Sequence, residues 1–372
     1  MQDTDRDLLP EGLGDRLPQQ AAASQRVRRA VLDVMAGHGY ERVETPTIEF
    51  EKSMASRMAG VQVRRMFRLV DPVSLRTLAL RSDITMQVGR VAATTLAAAA
   101  RPLRLCYAGQ VVTIKGDGLD PTRERLQIGV ELIGSDSEAA AAEIVEVAIE
   151  SLRAAGATGI SVDFTLPDLV DALSAEALPL AASQVEDVRQ MLDAKDAGGL
   201  VDAGGEAYLP LLYAVGPFDT AIERLAEFDR LGVLAGRIAG LRAIAARVDG
   251  KARLTLDPSE RHGFEYQSWF GFTVYAEGVS CSLGRGGTYR ILGGQEGEPA
   301  GGFSLYPDPL IEVLAAEGGE RKVLFLPLGH DKQIAERQRA IGWTTLAALS
   351  ESDDPVALGC SHRLENGEAI PL

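Results

Sequence analysis

Two stretches of alternating residues constrain the fold of this chain most strongly. Residues 103–112 and 126–133 are rich in β-forming residues, and a polar turn separates them. The period of two places Gln127, Gly129 and Glu131 on one face of the second strand. The other face is apolar and carries Leu126, Ile128, Val130 and Leu132. This apolar set has to be buried under helices, which predicts a sheet covered by helices.

The polar face of the second strand has two interpretations, and the sequence leaves both open. Glycine inside a strand often marks a place where another group approaches the backbone. Gln127 and Glu131, on either side of Gly129, therefore favour a small polar floor with room above it. A strand that faces solvent would produce the same alternation.

Composition limits the class of protein. At 372 residues the chain should form one large domain or two to three smaller ones, and its 46% hydrophobic and 24% charged residues are typical of a soluble globular protein. A formal net charge of −15 argues against a polyanion as the main ligand. An acidic N-terminus and the lack of long apolar runs predict neither a signal peptide nor a membrane span, so we expect a cytoplasmic protein.

The cysteines and histidines show no metal-binding spacing. The three cysteines are scattered, without a CxxC pair, and the four histidines form no HxxxH pair. This pattern predicts a reducing compartment, no disulfide framework, no metal site and no cofactor.

Periodicity and capping residues predict further elements along the chain. Helices are predicted over residues 18–37, 86–100 and 138–155, and almost throughout 166–249. Strands are predicted over 39–46, 67–72 and 77–81, with a hairpin that pairs 272–276 with 279–283. Ser82 or Asp83 would cap the second helix, and Ser137 the third. The tail predicts a strand over 321–328, a helix over 331–341 and a strand over 344–350.

Several segments resemble histidyl-tRNA synthetases, which are class II aminoacyl-tRNA synthetases. The hairpin over 104–131 is similar to their signature hairpin, and residues 80–85 read Leu-Arg-Ser-Asp-Ile-Thr where the family has Leu-Arg-Pro-Glu-Gly-Thr. Residues 261–267 and 286–292 are similar to the Arg-Gly-Leu-Asp-Tyr-Tyr and Gly-Gly-Arg-Tyr-Asp-Gly-Leu segments of that family. The helix and strand over 18–46 resemble motif 1, a weak signal alone, which in the family builds a dimer interface.

The resemblance implies an α+β fold, with a class II synthetase-like antiparallel sheet flanked by helices. It implies a synthetase-like core over residues 1–165 and 251–315, with a helical insertion over 166–250. The remaining residues, 316–372, would form a short, truncated C-terminal α/β segment. It also implies self-association as a dimer through the motif 1 region.

The same resemblance assigns to a histidine pocket six residues: Asp83, Thr85, Gln127, Glu131, Tyr266 and Tyr289. The first two stand where the family takes up the α-amino group, and the aspartate is one methylene shorter than the family's glutamate. The next two align on the glutamine and the acid that hold the substrate. The two tyrosines stand where the family binds the imidazole ring.

Three positions that carry arginines in histidyl-tRNA synthetases hold other residues here: Thr113, His262 and Pro309. Amino-acid activation moves charge between phosphate oxygens of ATP and therefore needs preorganised cations. Arg261 is the one candidate replacement, and an offset there leaves the other two losses. Losing such groups costs orders of magnitude in rate, which predicts that the chain does not activate histidine.

Two further features argue against a nucleic-acid or phosphate site. Only about sixty residues follow residue 310, too few for the family's anticodon-binding domain, and the loop 115–125 has mixed charges without a phosphate-tracking stripe. We therefore expect no tRNA partner. The glycine-rich run Gly284–Gly287 lacks both phosphate-loop patterns and follows a predicted hairpin, so it predicts no phosphate site.

A histidine pocket without ATP arginines, followed by a shortened tail, resembles the family of ATP phosphoribosyltransferase regulatory subunits. This resemblance covers about residues 8–310. It implies a non-catalytic partner of the short-form catalytic subunit, acting in the first step of histidine biosynthesis within a hetero-octamer, with feedback by L-histidine. Two alternatives stay open: an active ligase of another kind, which would show ATP–pyrophosphate exchange, and a free-standing histidine-binding module, which would bind without a partner.

Overall fold

The computed structural model describes most of the chain as two compact units, Met1–Ala316 and Glu317–Leu372. The described residues are 9–55, 66–116, 121–261, 267–291, 297–317 and 322–372.

A nine-stranded sheet forms the centre of the first unit. The strands of this unit are β1 (Glu41–Arg42), β2 (Ile48–Phe50), β3 (Arg68–Val70), β4 (Thr77–Leu80), β5 (Leu103–Val112), β6 (Glu124–Ile133), β7 (Ser161–Thr165), β8 (Gly216–Pro217), β9 (Arg253–Leu256), β10 (Gln267–Tyr275), β11 (Gly284–Ile291) and β12 (Glu298–Leu305). The large sheet has the order β1-β5-β6-β12-β11-β10-β7-β9-β8, and β2-β4-β3 form a small separate sheet. Neighbours in the large sheet are antiparallel except for β1 with β5 and β7 with β9. The predicted α+β fold class is confirmed.

Ten α-helices belong to the described part of the first unit, and some of them pack on the apolar face of the large sheet. They are α1 (Pro18–Gly37), α2 (Glu51–Ala55), α3 (Thr85–Ala93), α4 (Glu138–Ala154), α5 (Leu169–Glu176), α6 (Val185–Asp193), α7 (Ala197–Asp202), α8 (Phe218–Phe228), α9 (Ala235–Arg247) and α10 (Asp308–Ala316). Val27, Val31 and Met35 of α1 join one buried cluster with the apolar set of β6, as the alternation predicts. The helix predicted over 18–37 is confirmed, and Ser137 caps α4 by accepting from Ala140 N. None of the helices in the described residues is long and apolar enough to cross a membrane.

The helix predicted over 86–100 is too long, because α3 ends at Ala93. Thr94 Oγ1 donates to Arg90 O at 2.7 Å, which uses one of the last helical carbonyls. Arg101 donates to the carbonyls of Ala92, Leu96 and Ala99, so the chain turns around this guanidinium instead of continuing the helix.

The second predicted hairpin is wrong in its second strand. β10 pairs with β11 from Val274 and Gly284 onward, so residues 276–283 form a connection rather than a strand. Gly278 has a positive φ of 75° in the turn, and Leu283 N donates to Val274 O at 2.8 Å. Leu283 is buried while Cys281, two residues earlier, is exposed, so this segment does not follow the period of two that a strand would show.

The region predicted as a helical insertion contains α5 to α9, β8 and a 3-10 helix, Glu206–Tyr213. The insertion boundaries, 166 and 250, and the division of the core into 1–165 and 251–315 stay predictions.

The second unit is a four-stranded sheet with one helix. Its elements are β13 (Val323–Leu326), α11 (Lys332–Ala340), β14 (Thr344–Ala347), β15 (His362–Glu365) and β16 (Glu368–Pro371), with the sheet order β14-β13-β15-β16. Leu324, Leu326 and Leu364 pack against Ala335 of α11. Asp331 caps this helix by accepting from Gln333 N at 2.7 Å. The final hairpin escaped the sequence analysis, although its two-residue turn, Asn366–Gly367, is a strong hairpin signal.

Candidate functional site

Gln127 lies at the centre of a buried polar cluster on the large sheet. Its side chain is fully buried, and its Oε1 accepts from Ile84 N at 2.9 Å. Its Nε2 donates to Asp83 Oδ1 and to Ser304 Oγ, both at 2.8 Å. The amide therefore joins β6 to β12 and to the start of α3. A strand facing solvent is excluded, because almost the whole of β6 is buried.

Glu131 is the buried acid of this cluster, with 1% of its surface exposed. Tyr107 donates to its Oε1 at 3.1 Å, and the Tyr289 hydroxyl donates to its Oε2. Burial disfavours the charged carboxylate and raises the pKa of Glu131 to about 8, although these hydrogen bonds oppose the shift. Near neutral pH this carboxyl therefore gains or loses a proton readily.

Asp83 and Thr85 meet the cluster at the first turn of α3. Asp83 Oδ1 accepts from Thr85 N at 2.8 Å as well as from Gln127 Nε2, so the aspartate holds the start of the helix and the Gln127 amide together. Burial raises the pKa of Asp83, and hydrogen bonds from Gln127 and Thr85 partly offset that shift. The N-cap of α3 is Ile84, which makes no side-chain cap bond, so the N-cap predicted at Ser82 or Asp83 is wrong by one or two positions, although Asp83 does accept from the first amide of the helix.

Tyr107 is, with Ser304, a cluster residue that the sequence did not predict. Its hydroxyl lies 2.9 Å from Thr85 Oγ1, 3.0 Å from Ser304 Oγ and 3.1 Å from Glu131 Oε1. Because Tyr107 donates to Glu131, the other two hydroxyls act as donors to it. Burial raises the pKa of Tyr107 well above its ordinary value, which keeps the phenol protonated.

The room expected above Gly129 is filled by Tyr107. The two residues are partners across β5 and β6, and a Cβ atom at position 129 would overlap the tyrosine hydroxyl. An aromatic residue directly opposite a strand glycine was the available signal, because the ring lies over the bare backbone.

The structure brings together five of the six predicted pocket residues, all except Tyr266. Tyr266 and His262 lie outside the described residues. Thr113 follows β5, and its hydroxyl donates to Lys115 O at 2.8 Å. Pro309 lies in the first turn of α10, where a residue without an N–H is tolerated. Neither Thr113 nor Pro309 presents a cation.

Two arginines near the end of the β5–β6 hairpin, Arg123 and Arg16, are held by contacts within the chain. Arg123 donates to Glu11 O at 2.9 Å and to Thr113 O at 3.3 Å. Arg16 pairs with Asp308, whose other carboxylate oxygen accepts from Leu126 N at 2.9 Å. A cavity of about 410 Å³ lies here, and the charged residues that line it are Asp15, Arg16, Glu124, Asp308 and Glu312. Four acids against one paired arginine make this cavity unfavourable for a triphosphate.

Comparison with known proteins identifies the family of the chain. The histidyl-tRNA synthetase family model matches residues 12–310. The ATP phosphoribosyltransferase regulatory subunit of Rhodospirillum centenum is 39% identical over 370 residues, which cover 97% of this chain and 95% of that protein. The corresponding subunit of Paramagnetospirillum magneticum is 40% identical over 372 residues, which cover 96% of each protein. The chain belongs to the family of ATP phosphoribosyltransferase regulatory subunits.

Solved structures of this family and of histidyl-tRNA synthetases share the fold. A Bacillus halodurans protein described as an ATP phosphoribosyltransferase regulatory subunit/histidyl-tRNA synthetase superposes with a TM-score of 0.82 at 23% identity, covering 96% of this chain and 97% of that one. The histidyl-tRNA synthetase of Nostoc sp. PCC 7120 gives a TM-score of 0.77 at 16% identity, covering 95% and 90%. These structures confirm the predicted fold, and the sequence relatives confirm the predicted family.

Proposed function

We propose that this chain is a non-catalytic regulatory subunit of ATP phosphoribosyltransferase. It binds a short-form catalytic subunit, which carries the activity, and it is required for the first step of L-histidine biosynthesis and for feedback by L-histidine. The observation that carries the proposal is the buried cluster around Gln127 and Glu131, together with Thr113 and Pro309, which offer no cation. The names of the homologous subunits support the same conclusion.

The cluster suits a ligand with positive charge and N–H donors. It buries two acids, Asp83 and Glu131, whose desolvation a cation would offset. In our proposal Asp83 and Gln127 take the α-amino group of L-histidine, with Thr85 beside them. Glu131 and Tyr289 take the imidazole, and Tyr266 is proposed as the second ring contact.

Activation chemistry is excluded from the proposal on electrostatic grounds. Adenylate formation needs cations preorganised around the α-phosphate, and each lost donor costs about 3 kcal/mol of transition-state stabilisation. Thr113 and Pro309 supply none, and Arg123 and Arg16 are held by the N-terminal segment and by Asp308.

Feedback requires that L-histidine bind two states of the assembly unequally. We propose a hetero-octamer with the catalytic subunit, in which this chain pairs with a second copy through the motif 1 region over residues 18–46. Neither tRNA nor a membrane has a place in this assembly, which we expect in the cytoplasm.

The test measures phosphoribosyl-ATP formation by the short catalytic subunit of the same organism, with and without this chain. We expect strong stimulation by the chain, and inhibition of the mixture by added L-histidine. The matched control is the Arg242→Ala variant, whose partly exposed side chain pairs with Glu223 and lies outside both the cluster and the motif 1 region.

Two other outcomes would replace the proposal. Histidine-dependent exchange of pyrophosphate into ATP by the chain alone would establish an active ligase. L-Histidine binding without stimulation of the catalytic subunit, and without a complex on size-exclusion chromatography, would establish a free-standing histidine-binding module.

A further inference from the structure

The strand β11 presents alternate residues to the polar cluster. Tyr289 reaches Glu131 from this strand, so the period of two places Gly287 and Arg285 on the same face of the sheet. Arg290 belongs to the opposite set and is exposed. The glycine-rich run over residues 284–287, which predicts no phosphate loop, therefore places Arg285 on the face of the sheet that carries the cluster.

Arg285 lies one strand away from a member of the cluster. Its partner on β12 is Ser304, whose hydroxyl contacts both Gln127 and Tyr107. Since neighbouring strands are about 4.8 Å apart, the backbone of Arg285 lies about 10 Å from that of β6. The positive charge of Arg285 lowers the pKa of Asp83 against the larger effect of burial, as expected for a cation beside the site.

Recognition of a free amino acid needs a partner for its carboxylate. The hydrogen-bonded cluster supplies acids, an amide and hydroxyls, and two of the arginine positions of the synthetase site are now Thr113 and Pro309. Arg81 is the rival cation, because its guanidinium lies over Gly109. It donates to Gln110 O at 2.7 Å and to Thr45 O at 2.9 Å, so its hydrogen bonds hold the backbone.

A second observation points to a polar ligand group on this face. Thr273 on β10 is the other strand partner of Arg285, and it is only 2% exposed. Its hydroxyl has no hydrogen-bond partner among the described residues. Buried hydroxyls are almost always satisfied, so an oxygen of a ligand, or a water that accompanies it, accounts for this one.

We propose that Arg285 binds the carboxylate of L-histidine and so makes this site specific for the free amino acid. The inference rests on the proposed function, since it assumes that the cluster binds L-histidine. Arg285 would supply the positive charge for the carboxylate from β11, without restoring the cations that ATP would need. An amine without a carboxylate would then lose this contact while keeping those to Asp83 and Glu131.

Calorimetric titration of the full chain with L-histidine and with histamine, which lacks the carboxylate, tests this inference. The native chain should bind L-histidine more tightly than histamine by roughly 10- to 100-fold, as expected for one charge-assisted contact. Arg285→Met should lower the affinity for L-histidine by the same factor and leave that for histamine unchanged. Arg290→Met, on the same strand but the opposite face, should preserve both affinities.

Each remaining outcome overturns a different statement. An Arg285→Met variant that keeps the preference for L-histidine would show that Arg285 does not bind the carboxylate, and the proposed function would be unaffected. Equal loss of both ligands in that variant, with an unchanged thermal midpoint, assigns Arg285 to holding the cluster rather than the carboxylate. Absence of L-histidine binding by the native chain, while it stimulates the catalytic subunit, removes the ligand on which the inference rests.

Discussion

Gly302 lies directly opposite Glu131 across strands β12 and β6, and a Cβ atom at position 302 would overlap the Glu131 carboxylate. The buried acid therefore occupies space that only a glycine leaves open. The Glu131 carboxylate cannot move away from the Gly302 backbone without losing hydrogen bonds, because Tyr107 and Tyr289 also hold it.

Gly302→Ala should displace Glu131 from its two tyrosine partners. A buried carboxyl that loses its hydrogen bonds costs about 1–3 kcal/mol, so chemical denaturation should show a loss of that size. Gly236→Ala is the matched control, because a Cβ there meets nothing within 4 Å. Equal midpoints for Gly302→Ala and the native chain would contradict the packing described for Glu131.

Tyr107→Phe should destabilise the chain through its hydroxyl alone. The variant keeps the ring over Gly129 but leaves Thr85, Ser304 and Glu131 each without one hydrogen bond. We expect a loss of about 1–3 kcal/mol in the free energy of unfolding, measured by urea titration. Tyr213→Phe, whose side chain is exposed, should change it by less than about 0.5 kcal/mol. Similar losses in both variants would argue against a connected cluster.

The sequence predicts which residues form the buried cluster better than it predicts how much space is left between them. Gln127 and Glu131 follow from a strict alternation, and a buried strand keeps its register along its whole length. Tyr107 was missed because its importance depends on lying opposite Gly129, a pairing that only the register of two strands establishes. Tertiary contacts likewise decide whether a stretch with a strand-like sequence forms a strand or a loop, as residues 276–283 show.

Helix ends depend on contacts that are distant from the local pattern. The apolar periodicity continues beyond Ala93, but Arg101 binds the carbonyls around the end of α3 and stops the helix there. The Asn366–Gly367 turn is the opposite case, because this pair of residues specifies the hairpin from the local sequence alone.

Binding of L-histidine should strengthen as the pH rises from 7 to 8. Burial raises the pKa of Glu131 to about 8, so at pH 7 only about a tenth of the molecules carry the charged form that accepts from an imidazole N–H. This fraction reaches about half at pH 8, which predicts roughly fivefold tighter binding, with a proton released on binding. Titration calorimetry in two buffers measures both effects. Affinity that is constant or falls over this interval would show that Glu131 binds the ligand in its protonated form.

Glu260 should make the stability of the chain depend on pH. It shares a hydrogen bond with Asp163, and burial raises the pKa of Glu260 to about 7 from an ordinary 4.5. The folded chain therefore holds a proton that the unfolded chain loses, and stability falls as pH rises from about 4.5 to about 7, with the full loss above that.

Glu260→Gln should remove part of this slope, since Asp163, whose pKa burial also raises, remains. Urea midpoints at pH 5.5 and pH 8 measure the effect, with Glu277→Gln in an exposed turn as the control. A Glu260→Gln chain whose midpoint changes with pH as much as the native chain would rule out this carboxyl as the source.

The most direct measurement is the inhibition of phosphoribosyl-ATP formation by L-histidine in the reconstituted complex, comparing the native chain with Glu131→Ala. Each complex is measured as the ratio of its rates with and without L-histidine, so that a change in the uninhibited rate cancels. The account predicts that the native complex is inhibited and that Glu131→Ala raises the half-inhibitory concentration at least tenfold. Equal inhibition of both complexes would show that feedback does not pass through this cluster.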